Sequence, residues 1–171
     1  MEQEEMDVFL RITMHRMCDL YFEKLKVAME GLSQQDLWTE PYPEGNTVGG
    51  IALHVCEHIA RSCLRLKRME GELKLHFENF FPKETLTAEE IIAMFEAQLK
   101  EWRLLMYRYI NKEHVMNEDD VHQLYHLVEH TSYHLGQVID RIQGMTGKKF
   151  AFCNHGLNEA YLRRKVESRE V

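Results

Sequence analysis

The stretch VHQLYHLVEHTSYHLGQVIDRI, Val121–Ile142, decides the fold class. Val121, Leu124, Val128, Thr131, Leu135, Val138, Ile139 and Ile142 fall on one arc when successive residues are placed about 100° apart, the pattern of an amphipathic helix. Histidine recurs at every fourth position, as His122, His126, His130 and His134. Each such step rises about 6 Å and turns about 40°, so the imidazoles form a ladder that drifts toward the apolar arc. His122 and His126 are expected to face solvent. His130 and His134 should point inward, at the i and i+4 spacing that lets two ligands share one ion between helices.

The same period appears on either side of this stretch. Val8, Phe9, Ile12, Met14, Met17, Leu20, Tyr21, Leu25 and Ala28 make a stripe that predicts a first helix from Met6 to Leu32. Gly31, Ser33, Pro41, Pro43 and Gly45 interrupt it, and Asn46 or Thr47 can cap a second helix running to about Met69. Gly71 and FENFFPKET break the pattern again, after which Thr87 and Glu90 form a capping box ahead of IIAMFEAQLKEWRLLMYRYI. Asp119 and Asp120 complement the positive end of the fourth helix, which Gly144 and Gly147 are expected to stop near Gln143. LNEAYLRRKVES predicts a short helix packed outside. With no β alternation, hairpin dipeptide or repeat, the expectation is an all-α four-helix bundle with a short C-terminal helical tail. One domain spans 1–171, with a core of about 6–144 and an extension over 145–171.

Composition narrows the partners. Of 171 residues, 28 are acidic and 21 basic, a net charge of -7 that repels polyphosphates, and no basic cluster with interleaved aromatics offsets it. Nucleic acid is not expected as a partner. MEQEEMDVFL is acidic where a secretion signal is basic and apolar, and no apolar run approaches the ~20 residues that span a bilayer. Neither a membrane nor an oxidising compartment is expected, and Cys18, Cys56 and Cys63, set among apolar residues, read as reduced core thiols of a cytoplasmic protein.

Two imidazoles rarely hold a catalytic divalent ion alone, so His130 and His134 require a third ligand. The second helix offers His54 and His58. Its wheel slightly favours His58, which approaches the arc of Val48, Ile51, Val55, Ile59 and Leu66 more closely, without settling the choice. HVCEH and HLVEH both match the inverted zinc-peptidase pattern, with Glu57 or Glu129 as base, yet no sheet signal supports a peptidase scaffold. A carboxylate-bridged di-iron bundle would need paired Glu-x-x-His motifs, which the chain lacks.

LWTEPYPEGNTVGGIALHVCEH and HTSYHLGQ resemble the two signature segments of the DinB-like (YfiT-like) superfamily, and the similarity spans roughly Met6 to Gly144. The resemblance implies a four-helix bundle with a three-histidine divalent-metal site, one ligand from the second helix and two from the last. It implies His54, His130 and His134 as ligands, with Gln137 on the motif's glutamine beside them; His58, which the wheel favours, and His126 stand as alternates from the residue pattern itself. Leu135 stands where many members have arginine, which removes that arginine from any role in substrate binding here. Some members transfer low-molecular-weight thiols such as bacillithiol or mycothiol to electrophiles, and others isomerise maleylpyruvate with a thiol cofactor.

The function expected on that basis is a metal-dependent thiol S-transferase acting on small electrophiles, with a Zn, Ni or Fe class ion and a small thiol as cosubstrate. Hydrolysis by a metal-activated water and a non-catalytic, metal-stabilised bundle are the alternatives. A homodimer is expected, with the wide stripe of the first helix as a candidate surface.

Overall fold

The computed structural model describes residues 3–69, 71, 73 and 77–168; the extreme ends of the expected 1–171 domain lie outside them. The described residues form helices and loops, with no strand among them. The helices are α1 (Gln3–His15), α2 (Phe22–Met29), α3 (Gln34–Trp38), α4 (Val48–Leu66), α5 (Ala88–Ile110), α6 (Glu118–Thr146) and α7 (Glu159–Ser168). A π-helical segment, Arg16–Tyr21, joins α1 to α2, so residues 3–29 form one continuous helical rod. α5 and α6 each pack against both α4 and this rod, giving a helical bundle.

Local chemistry fixes the helix ends. Thr47, Thr87 and Asn117 each accept a backbone N–H three residues ahead, and Glu90 and Asp120 reach back to complete capping boxes on α5 and α6. Gly147, at φ 70, closes α6 in the left-handed conformation that glycine adopts without a Cβ penalty. Gly144 lies inside that helix, so the expected stop near Gln143 comes a turn too early: one glycine in a well-packed helix weakens it without ending it. α4 ends at Leu66, short of Met69, because Arg68 turns to φ 61 and places its guanidinium on Asp120 at 2.6 and 2.7 Å.

Two features depart from the predicted pattern. The first helix was expected to be regular over 6–32; instead Phe22 N–H reaches Met17 O across the π segment, and the rod ends at Met29 before Gly31 at φ 71. Within that turn Asp19 accepts from His15 Nδ1 at 2.6 Å and from Arg103 of α5 at 2.6 Å. The 33–45 break also contains α3, opened by a Ser33–Asp36 capping box.

The core is centred on Trp102, Met14, Met29, Ile51, Ile91, Met106 and Ile142, all with no accessible surface. Trp102 Nε1 donates to Ser62 Oγ at 3.1 Å and Tyr109 Oη to Leu66 O at 3.0 Å, pinning α5 to α4. Trp38 lies against Gly49 at the start of α4 and donates to Leu86 O at 2.8 Å. Its indole occupies the space a side chain at position 49 would need, so the small residue there lets α3 clamp the entry to α4. α7 packs on α1, with Glu159 paired to Arg16 at 3.0 Å, so the C-terminal helix lies on part of the face considered for dimer contact. Val8 and Ile12 of that face remain exposed.

Candidate metal centre

α4 lies between α5 and α6, so its inward arc is wide: His54 is 2% and His58 7% exposed. The wheel's slight preference for His58 therefore has no counterpart in burial. α6 presents His134 as buried and His130 as half-buried, while His122 and His126 are exposed, as their positions on the ladder predicted.

The two helices bring five of these rings together. His54 Nε2 and His134 Nε2 each lie 3.2 Å from His130 Nε2. Ring centroids are 5.0 Å apart for His54 and His130, 4.9 Å for His54 and His134, and 4.4 Å for His130 and His134. His58 joins on the other side, 3.7 Å from His130 and 5.1 Å from His54. Among the described residues, His54, His58 and His130 each offer a ring nitrogen within 4.8 Å of the others, a grouping that can hold a metal ion. Two overlapping triads thus share the His54–His130 pair, one completed by His134 and the other by His58.

The hydrogen bonds around the rings define their tautomers. His54 Nδ1 donates to Phe80 O at 3.1 Å, and His134 Nδ1 donates to Gln137 Oε1 at 2.8 Å. Gln137 is itself oriented, its Nε2 donating to Tyr133 Oη at 3.1 Å. With the proton of each ring held on Nδ1, His54 and His134 turn acceptor nitrogens toward His130. A proton on His130 Nε2 can serve only one of them, and His130 Nδ1 is buried with no hydrogen-bond partner among the described residues. Nitrogens bound at 2.0–2.1 Å to one tetrahedral ion stand about 3.4 Å apart. The observed spacing of 3.2 Å and the surplus of acceptors both fit a cation.

Burial keeps these rings neutral. It is the largest cause that lowers the pKa of His54, with His134 adding to it, and of His134, where Gln137 opposes it. His130 falls to about 3 through burial and then the charges of His134, His54 and His126. His58 falls to about 2 through burial and then His130, His54, His126 and Arg65. Neutral imidazole is the form that ligates a metal.

The loop after α4 contributes residues that helical spacing alone does not reveal. Phe80 supplies the carbonyl that orients His54, and Phe81 stacks on the His54 ring at 4.3 Å and 20°. The available signal was the aromatic cluster ahead of Pro82 in an otherwise polar break. Leu135 is buried and helps line a small apolar cavity of about 20 Å³ with Met17, Phe22, Phe95, Thr131 and His134, so it serves the core. Neither glutamate of the HxxEH patterns is buried; Glu129 is exposed.

Compared with family models, curated proteins and solved structures, the chain finds no match. Fold and site together define an all-helical bundle with a three-histidine cluster, contributed by two of its helices, that can hold a metal ion. No described helix is long and apolar enough to cross a membrane.

Proposed function

We propose that the protein is a DinB-like metal protein in which His54, His130 and His134 hold one divalent ion, and that it transfers a small thiol to electrophiles. The observation that carries the metal site is the approach of two acceptor Nε2 atoms to the single Nε2 of His130. His134 is taken as the third ligand because its Nε2 lies 3.2 Å from His130 Nε2 and its Nδ1 is held by Gln137, the orienting contact that metal-bound histidines use. A divalent ion with an open position would favour the thiolate form of a bound thiol.

The chain's own residues fit a reaction whose nucleophile arrives with the cosubstrate. Burial pushes the Cys18 thiol up to about 11 and those of Cys56 and Cys63 up to about 12, which keeps all three protonated at neutral pH. Gln137, Tyr133 and the Phe80 carbonyl orient the ligands, and Phe81 covers one face of His54. The exposed rings of Phe80 and Tyr133 offer apolar surface to a small substrate near the cluster.

The test measures metal content and the consumption of a low-molecular-weight thiol with a bimane-type electrophile, in wild type and His134→Ala. Metal-dependent turnover lost in the variant is expected. Full turnover by a metal-free His134→Ala protein refutes the reading. Hydrolysis is the second reading, and ester cleavage at the same rate with and without added thiol would select it.

A further inference from the structure

The histidine cluster repeats itself along the bundle. On α4 the step from His54 to His58 is one turn; on α6 the matching step runs backward, from His134 through His130 to His126. The ring distances follow this register. His54 neighbours His130 and His134, whereas His58 neighbours His126 and His130, at centroid separations of 5.9 and 3.7 Å. His126 stands a further 5.7 Å from His130. Moving the inner triad by one turn of each helix therefore lands on His58, His130 and His126.

From this repeat we infer that His58 and His126 form a second, outer site for a divalent cation of the imidazole-preferring class, one helical turn from the inner ion. The inference takes the inner site from the proposed function but does not depend on any reaction there. Two imidazoles on one ion, each with its ring centre about 3.2 Å from the metal, stand about 5 to 6.5 Å apart, and the 5.9 Å between His58 and His126 lies in that range. His58 is buried and supplies the fixed side of the site, while His126 is exposed and admits the ion from solvent. With His130 engaged in the inner triad, water completes the outer coordination. The outer ion is therefore bound more weakly than the inner one.

Equilibrium dialysis of the metal-free full-length protein against Zn(II) or Co(II), with elemental analysis, counts the ions directly. Wild type is expected to bind two equivalents, one tight and one at least tenfold weaker. His126→Ala, a surface change outside the inner triad, should keep the tight ion and lose the weak one; His58→Gln should do the same. His122→Ala should keep both, because the exposed His122 and His126 pair is the competing explanation for a weak ion. A single equivalent in wild type, or two in His126→Ala, overturns the outer site and leaves the inner one standing. Loss of the weak ion in His122→Ala but not in His58→Gln assigns it to the α6 surface and also overturns the proposal. Absence of any bound ion refutes both sites.

Discussion

Acidification of the metal-free protein should destabilise it well above the pH at which carboxylates protonate. The unfolded chain takes up a proton on each histidine as pH falls through about 6.5. In the folded state His58 and His130 stay neutral to about 2 and about 3, because burial and neighbouring imidazoles oppose their charge. Below pH 6.5 the unfolded state therefore binds more protons, and stability falls with pH until the folded values are reached. Each such group costs up to about 1.4 kcal/mol per pH unit, so two of them remove at most ~5 kcal/mol between pH 6.5 and 4.5. Allowing for water reaching the half-buried His130, roughly 2 to 5 kcal/mol is expected, a substantial share of a domain's usual 5–15. At about 2–4 °C per kcal/mol for a chain of this size, the melting temperature should drop by roughly 4–20 °C. Asp19 and Asp120, whose pKa values are lowered by their ion pairs despite burial, lose their contribution only below about pH 4, outside this window. The assay is thermal unfolding by circular dichroism in chelator at pH 6.5, 5.5 and 4.5. His58→Gln/His130→Gln should flatten the slope whatever its effect at pH 6.5. A melting temperature constant over that range, or a slope the double substitution leaves unchanged, refutes the reasoning.

Other perturbations test separate parts of the structure. Gly49→Ala places a Cβ 2.6 Å from Trp38 Cη2, and the strain of overpacking, about 1–3 kcal/mol, should outweigh the gain of up to ~1 in helix propensity; a raised melting temperature would show that Trp38 yields instead. Gln137→Leu removes the acceptor that holds His134 Nδ1 and should weaken metal binding about 10–100-fold in a competition titration with a chromophoric chelator, whereas unchanged affinity would deny Gln137 that role. Of the four cysteines only Cys153 is exposed, so a thiol reagent should titrate one group quickly in the native protein and four after denaturation; two or more fast thiols would contradict the burial of Cys18, Cys56 and Cys63.

Much of the architecture was legible because it is encoded locally. The apolar period of α4, α5 and α6 gives their extent to within about a turn, and side chains within three residues of each start, Thr47, Thr87 and Asn117 with Asp120, cap them. α3 carries the same local signal in Ser33 and Asp36, but its five residues lie among prolines and glycines whose pattern is that of a break. The π segment was not legible: Asp19 pairs with Arg103, 84 positions away, and no local periodicity reports that partner.

The histidine site divides along the same line. By itself the sequence determined that His130 and His134 share a helical stripe, that His122 and His126 lie toward solvent, and that α4 carries two candidates one turn apart. Whether rings on different helices meet depends on the register between α4 and α6, which is fixed by packing across the whole bundle. Only the tertiary structure brought His54 and His134 to the same nitrogen of His130, and it seated His58 in the cluster as well, because α4 is covered on two sides and buries both of its histidines.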